Sequence, residues 1–562
     1  MLYAPIHGLR ILLIESSTLL AVYAVVYLGL RVGCGQFRRP RWLGWVLARK
    51  KRTVFVVVAL ALLARAMLFP WVGVPQPRVN DEYSYLLMAD TFAHHRLTNP
   101  TPEAWRHFET FHVNLRPTYH SKYPVAQGLV LAFGQVAFHQ PWIGVYLSTA
   151  LLCGAICWAL LAFVPPGWAL LGGVLAVVRL GLFSYWMNSY WGGSAAALGG
   201  ALTLGAVVRL FKASNSPRAR LLLSCAFAMG LLILATSRPY EGLAFSLPLL
   251  VFFGYRVFRG GVSSRARLQI LLPVVIIGVA GLLAMAHYNH ATTGDGLLMP
   301  YALNYRTYWP LPYFHGQKPN SGIQVTDPVY AKFYKMTEEE YGYKESGTVS
   351  GLLSVESRRA AEDWFFYVGL PLTLPAFIGF LSALTQPRLY LAVLATLLTA
   401  VALAFCVYSL PHYIAPATVT LYLFAVEGLR YLWDHHEQGE RAFVIAVCAT
   451  VIVVSFARQS GSSAMNTAFR SPNQRELIAE QLNARPGKHI VLVSYDVERH
   501  YPGNELVHNG AEFGSQKIVW ARSKGEGSDS DLCAAFPDRT FWRVVTDDDN
   551  FSFGGTDLCK RP

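Results

Sequence analysis

"TVFVVVALALLARAMLFPWVGVPQPRVNDEYSYLLMADTF", residues 53–92, changes character halfway. A long apolar run, interrupted by Arg65, leads to a bend containing Pro75 and Pro77. Asp81 and Glu82 then stand side by side at the head of a new pattern. The first half has the length that crosses about 30 Å of hydrocarbon at about 1.5 Å per helical residue. The second half opens on two acids that hydrocarbon would not tolerate unpaired. The stretch therefore predicts a membrane helix with carboxylates at its mouth.

The rest of the chain repeats the first half. Of 562 residues 53% are hydrophobic and 15% are charged, and apolar runs of spanning length recur throughout. Twelve spans are read, at roughly 9–31, 53–74, 141–164, 167–187, 194–211, 220–236, 241–258, 268–287, 364–383, 388–408, 413–432 and 441–457. The first is too long for a secretory signal and reads as a retained helix. The net charge of +14 raises nucleic-acid binding as an option. However, the basic residues cluster between apolar runs, and no nucleic-acid module is present. "FRRPRWLGWVLARKKR" (37–52) holds seven Lys/Arg, and "RLFKASNSPRAR" (209–220) and "RVFRGGVSSRAR" (256–267) hold four each. All three fall on one side, which the positive-inside rule makes cytoplasmic.

Segments 75–140, 288–363 and 458–562 then lie outside. "DEYSYLLMADTFAHH" (81–95) reads as an amphipathic helix at the membrane surface. "YPVAQGLVLAFGQVAF" (123–138) reads as a second interfacial helix, with a thirteenth span as the alternative. The loop 288–363 is rich in tyrosine: Tyr288, Tyr301, Tyr305, Tyr308, Tyr313, Tyr330, Tyr334, Tyr341 and Tyr343. Such residues are either interfacial anchors or a platform for sugar rings. In the tail, "HIVLVSY" (489–495), "KIVWARS" (517–523) and "TFWRVV" (540–545) read as short strands and 471–487 as a helix, making a small α/β domain. "TDDDN" (546–550) lacks the spaced ligands of a calcium loop.

Cys153, Cys157, Cys225, Cys406 and Cys448 fall in apolar runs as packing residues. Cys533 and Cys559 lie in the tail, where an extracytoplasmic location permits a disulfide.

Five polar clusters meet the outer face: Asp81 and Glu82; "YHSKYP" (119–124); "YWMNSYWGG" (185–193); "SRPYEG" (237–242); and "PHYIAP" (411–416). Acids opposed by Lys122, Arg238 and His412 suit a phosphate-bearing substrate approached from lipid. Tyr413, His120, Tyr123, Tyr190, Trp191, Tyr240 and Glu241 are candidate substrate contacts. Arg65 and Arg179 lie inside spans; either snorkels or pairs between helices, and Arg179 has the reach for a phosphate or for Glu241.

"DEYSYLLMADTF" after an outward span resembles the first-loop motif of the GT-C superfamily, which includes protein O-mannosyltransferases and lipid A aminoarabinose transferases. "SKYPVAQGLVLAFGQ" (121–135) and "PHYIAPA" (411–417) resemble two further elements of that group. Tyr123 replaces a proline, His412 replaces the usual cation, and the first span is an extra helix. The resemblance covers roughly 53–457. It implies an all-α, GT-C-like polytopic membrane protein of about twelve helices, with a catalytic domain at 53–457 and outer loops 75–140 and 288–363. A helix and basic loop at 1–52 precede that domain, and an extracytoplasmic α/β domain at 458–562 follows it.

The activity implied is transfer of a sugar from an undecaprenyl-phosphate donor to an envelope lipid, glycan or protein, at the outer face of a bacterial inner membrane. Asp81 would be the general base and Glu82 its support, the pair holding a divalent metal if one takes part. Lys122, Arg238, His412 and Tyr413 would bind the donor phosphate. No nucleotide motif is present. Two other readings remain at this stage: a lipid-linked-sugar flippase, and a non-catalytic envelope assembly protein.

Overall fold

The computed structural model describes residues 5–31, 40–212, 214–434, 438–461, 473–556 and 558–559. Residues 32–39, which reach into the first basic loop, and residues 462–472 of the predicted C-terminal domain lie outside the described residues. In chain order the helices begin with α1 (Pro5–Arg31) and α2 (Lys50–Met67). The segment 75–140, predicted to lie outside, carries α3 (Asn80–Ala93), the two-residue strands β1 (Val113–Asn114) and β2 (His120–Ser121), and α4 (Val125–Phe138). There follow α5 (Trp142–Leu160), α6 (Pro166–Ala176, continued by a π turn Val177–Leu182), α7 (Gly193–Leu210), α8 (Pro217–Ser237), α9 (Pro239–Arg259) and α10 (Ser264–Thr293). The segment 288–363, likewise predicted to lie outside, holds α11 (Pro300–Tyr308) and α12 (Pro328–Glu340), and leads through α13 (Val349–Tyr367) into α14 (Gly369–Leu384). The last spans are α15 (Tyr390–Ala404), α16 (Thr418–Asp434) and α17 (Gln438–Gly461).

Eleven of the twelve predicted spans coincide with one of these helices, and the span predicted at 364–383 straddles the break between α13 and α14. Eight helices are long and apolar enough to cross a membrane by themselves among the described residues, or nine spans if the bent pair α13–α14 counts as one. The chain is a multi-pass membrane protein. α4 has 14 residues; at about 1.5 Å each that is roughly 21 Å, short of a span of about 30 Å.

Where one span was predicted at 364–383, the chain turns by 101° between α13 and α14. Gly369, at φ +68°, supplies the break. A broken helix leaves carbonyls at one end and N–H groups at the other, and both are met by charges. The Arg179 guanidinium donates to the carbonyls of Phe365 and, at 2.8 Å, Phe366. Glu15 of α1 accepts from the Leu370 N–H at 3.0 Å. Arg179 is therefore a helix-break residue, and Glu241 pairs with Arg238 instead. Arg65 likewise donates to the Gly73 carbonyl (2.8 Å) and Asn188 (3.2 Å) while lying 4.7 Å over the Trp142 ring.

α3 departs from the amphipathic surface helix predicted for it, because it is buried on both sides. Tyr85, Met88 and Ala89 pack with Leu131, Trp142 and Val145 of α4 and α5. Leu87 joins Phe108, Leu115 and Tyr119 in a second core that also contains Ile490, Leu492, Val519 and Phe541 of the C-terminal sheet. The polar face is satisfied internally, with Ser84 donating to the His112 carbonyl at 2.7 Å and Thr91 to Leu87 at 2.8 Å.

The tail folds as α18 (Gln474–Asn483) with β3 (Lys488–Tyr495), β4 (Ile518–Arg522), β5 (Arg539–Thr546) and β6 (Phe551–Gly555). The strand order is β4-β3-β5-β6, parallel except for antiparallel β6. β6 escapes the sequence reading because "FSFGG" has little strand propensity and pairs as an edge. Cys533 and Cys559 are joined by a disulfide. The TDDDN segment is a turn, with Asp548 accepting from His500 at 2.7 Å.

Without a hydrophobic drive between spans, small residues let helices close on one another. α14 and α16 meet backbone to backbone: a Cβ on Gly428 would lie 1.7 Å from the Pro375 carbonyl oxygen, and one on Gly379 1.8 Å from that of Phe424. Gly428→Ala is predicted to force the pair apart at a cost of about 1–3 kcal/mol, read as a lowered melting temperature of the detergent-purified protein. A variant that melts with the wild type would refute this crossing.

Candidate functional site

A cavity of about 1930 Å³ opens where the loops between spans meet segments 75–140 and 288–363 and the C-terminal domain. Asp81, Glu82, Lys122, Tyr123, Trp191, Arg238, Tyr240, Glu241, His412 and Tyr413 all line it. Residues spread over more than half the chain thus converge. His120, Tyr190 and Arg179 do not line it.

Asp81 occupies the first turn of α3. Its Oδ1 accepts from the Tyr123 hydroxyl, and its Oδ2 lies 3.6 Å from Nε2 of His112. The Tyr123 ring is held by stacking on Tyr85, 4.4 Å between centroids. His112 adopts φ +64°, a left-handed conformation that costs a non-glycine residue about 1–3 kcal/mol. Its carbonyl then accepts from Ser84 of α3 (2.7 Å) and from the Lys122 N–H (3.1 Å). One peptide group thereby fixes Asp81's helix against the segment that carries Lys122.

Burial works to raise the Asp81 pKa. His112, the Tyr123 hydrogen bond, Lys122 and His412 together outweigh it, so the carboxyl titrates below its ordinary value. Burial, seconded by Lys122, pushes His112 down to about 3. His412 is likewise held neutral by burial and then by Arg238. At neutral pH, with both imidazoles uncharged, the cation beside Asp81 is Lys122.

Lys122 is buried, with its ammonium 5.2 Å from the ring centres of Tyr123 and Tyr301 and 5.1 Å from Trp309. Burial brings its pKa down to about 8, Asp81 resisting and Arg238 assisting. Among the described residues no carboxylate lies within ion-pair distance of it. Arg238, in the turn between α8 and α9, lies 4.1 Å over the Tyr413 ring and 3.9 Å from Glu241. The Nδ1 of His412 shares a hydrogen bond of 3.1 Å with the Tyr185 hydroxyl, and the ring packs on Trp191 at 5.0 Å.

Glu82 has a different task from Asp81. It accepts the backbone N–H groups of Arg78 (2.8 Å), Val79 (3.2 Å) and Tyr190 (2.9 Å), which ties the start of α3 to the loop after α6. The Tyr190 hydroxyl donates to Pro75 at 3.0 Å. His120 is engaged in the β1–β2 hairpin with Asn114 (3.1 Å) and Thr118 (2.9 Å). The Tyr240 hydroxyl ties α9 to the end of α15 through the Ala402 carbonyl at 3.0 Å.

The donor set does not fit a divalent metal. Both Glu82 oxygens are taken by backbone donors, which leaves Asp81 and a neutral His112 beside an ammonium. Among the described residues no group of three or more His, Cys, Asp or Glu side chains is placed to hold one.

The C-terminal domain roofs the cavity. Asn80 donates to the Pro502 carbonyl (3.3 Å) and shares a hydrogen bond of 3.2 Å with His508, whose ring stacks on Tyr83 at 4.1 Å. Arg475, Tyr501 and Asn504 face inward from it. Sequence reasoning missed His112 and, of the three rings around Lys122, Trp309. His112 sits in a stretch without motif or periodicity, and only the hairpin register brings it to Asp81.

No family model and no curated protein sequence matches the chain. Solved structures do. Apo ArnT from Cupriavidus metallidurans superposes with a TM-score of 0.51 at 13% identity, over 90% of this chain and 94% of that one. The same protein bound to undecaprenyl phosphate gives 0.51 at 12%, over 88% and 93%. The Archaeoglobus fulgidus oligosaccharyltransferase, in complex with Zn and sulfate, gives 0.50 at 11%, over 88% of this chain and 67% of that one. The chain has the GT-C fold that its sequence motifs resemble.

Proposed function

We propose that the protein moves a sugar from a polyprenyl-phosphate-linked donor to an envelope acceptor at the outer face of a bacterial inner membrane. The observation that carries this is the convergence of Asp81, Lys122 and Arg238 on one cavity at the loop end of the bundle. A similar fold binds undecaprenyl phosphate, which supports the donor class.

In this reading the acceptor hydroxyl oxygen attacks the anomeric carbon. The bond from that carbon to the phosphate oxygen breaks, and its electron pair leaves with the lipid phosphate. The hydroxyl proton passes to Asp81. A carboxylate with a lowered pKa is a weak base, so transfer occurs late, once the new C–O bond has made the hydroxyl acidic. Until then its negative charge stabilises the oxocarbenium-like centre. Lys122 and Arg238 neutralise the leaving phosphate, Lys122 being the cation with no competing carboxylate in contact. His412 and Tyr413 orient the phosphate as neutral groups. Glu82 holds α3 in place.

Two adjacent acids with separate tasks give a discriminating pair of variants. Asp81→Asn should abolish sugar transfer, by about 10²–10⁴-fold for loss of a general base, with the melting temperature kept. Glu82→Ala leaves three buried N–H groups without acceptors and should lower the melting temperature by several degrees. Equal activity of Asp81→Asn and wild type with radiolabelled undecaprenyl-phosphate sugars would sink the assignment. Label crossing vesicles without transfer would favour a flippase.

The titrations set a pH profile. Asp81 is ionised above its lowered pKa, so activity should persist on the acid side below the ordinary carboxylate range. Lys122 is charged below about 8 and neutral above it, so donor binding should weaken as pH rises through that value. Lys122→Arg should move this basic limb upward by more than one pH unit, and an unmoved limb would exclude Lys122 as the phosphate cation.

A further inference from the structure

The C-terminal domain sends a cation of its own into the cavity. Arg475 stands in the first turn of α18 and lines the cavity with Asn473, Tyr501 and Asn504 of the same domain. Its guanidinium lies 4.7 Å from the Trp520 ring centre and 5.4 Å from that of Tyr83. One N–H donates to the His508 carbonyl at 2.6 Å. A guanidinium has five such donors, and the buried Nε of Arg475 has no acceptor. The carboxylate next in the chain, Glu476, is turned to the helix start, where it accepts the Asn473 N–H at 3.1 Å. Among the described residues no carboxylate lies within ion-pair distance of Arg475. Burial works against its charge, and two ring faces with one carbonyl offset only part of that cost.

This cation stands apart from those assigned to the donor. Successive residues of a helix are about 100° apart, so Asp81 and Tyr85 share a side of α3 that Tyr83 does not. Asp81 and Tyr85 both meet Tyr123. Tyr83 faces the C-terminal domain, its ring stacked on His508 at 4.1 Å, and Arg475 lies against it. The charges that act on Lys122 are Asp81 and Arg238. The groups that act on Arg475 are Tyr83, Tyr495, Glu476 and Tyr119. One cavity thus has two cationic ends, one beside the base and one under the roof.

We propose that Arg475 binds an anionic group of the acceptor, a phosphate or a carboxylate, while the acceptor hydroxyl is presented to Asp81. This rests on the transferase reading above and narrows its acceptor to an anionic molecule. The donor carries its charge on the lipid phosphate, which Lys122 and Arg238 answer. The counterpart of the cation under the roof is therefore the second substrate. A guanidinium meets phosphate or carboxylate through two parallel N–H···O bonds, and Arg475 has undirected N–H groups to make them. An anion there would also offset the burial of the guanidinium, which an uncharged acceptor leaves uncompensated.

The test places the full chain in nanodiscs of uncharged phosphatidylcholine, with undecaprenyl phosphate added to occupy Lys122 and Arg238. Glucose 6-phosphate, glucuronate and glucose are then compared by saturation-transfer NMR. At least one of the two anionic sugars should bind, and glucose should bind about tenfold more weakly or worse. A preference between phosphate and carboxylate upholds the proposal and names the group. Arg475→Gln should weaken the anionic sugar by about tenfold or more. Undecaprenyl phosphate binding, measured on the same sample, should stay unchanged and shows that the variant is folded. Arg475→Lys keeps the charge without the fork and serves if Arg475→Gln does not fold, with a loss of about threefold to tenfold. Silence with both anionic sugars, or equal binding of glucose, overturns the proposal. Unaltered affinity in a folded variant does so too, and leaves Arg475 a tie between α18 and α3. Loss of the anion's signal as undecaprenyl phosphate is titrated in also overturns it, by assigning Arg475 to the donor. Lipid-phosphate binding without anion binding removes this subsite and leaves the transferase reading standing. Anion binding that depends on Arg475, without lipid-phosphate binding, does the reverse.

Discussion

A carboxylate kept ionised inside a largely apolar cavity is the constraint around which this structure is arranged. Removing Asp81 from water works against its charge, and two neighbouring imidazoles are themselves too buried to be cations. Against this stand His112 on one oxygen, the Tyr123 hydroxyl on the other, the Lys122 ammonium beyond them, and His412. The first three are each held by something else. Tyr85 stacks on Tyr123, a left-handed backbone turns His112 inward, and three aromatic rings surround Lys122. A lysine surrounded by ring faces, with no carboxylate within ion-pair distance among the described residues, keeps its charge available to an incoming phosphate. A salt bridge there would have to break first.

α3 transmits this arrangement between two bodies of the protein. One face belongs to the bundle core through Tyr85, Met88 and Ala89, and another belongs to the core of the C-terminal sheet through Leu87. Asp90 adds a polar tie, accepting the Ala511 N–H at 2.7 Å. The roof over the cavity is therefore packed on the helix that carries the base, so any shift of the roof moves Asp81 with it. Lys332 of α12 fastens the second outer segment to the same roof through the carbonyls of Val497, Glu498 and His500.

Much of this was legible in the sequence because hydropathy reports burial in lipid directly. Eleven of the twelve predicted spans stood as helices where apolar runs placed them, the one at 364–383 being broken at Gly369, and α3 and α4 matched their patterns within two residues. What could not be read is what three-dimensional closure adds. Apolar periodicity shows that α3 has a buried face but not that its polar face is buried too, because Ser84 and Thr91 find partners only after folding. Two adjacent acids look equivalent until the 3.6-residue turn sends Asp81 into the cavity and Glu82 to three backbone donors. His112 carried no signal, since its position follows from a hairpin of two residue pairs. The tyrosines of the second outer loop gave a composition, and composition has no direction.

The intramembrane charges complete the picture. Arg179 and Glu15 are far from Asp81 in the chain, and neither lines the cavity. Yet Arg179 holds the carbonyls of Phe365 and Phe366, two residues that do. Glu15 holds the first N–H of the helix after the break. A cation at the C-terminal end of one half and an anion at the N-terminal start of the next each oppose the local helix dipole, so a 101° bend persists where lipid would otherwise favour a straight span. The helix that brings Glu15 is α1, which packs on α17 and α14. α1 thus stabilises the broken helix whose end forms one wall of the site.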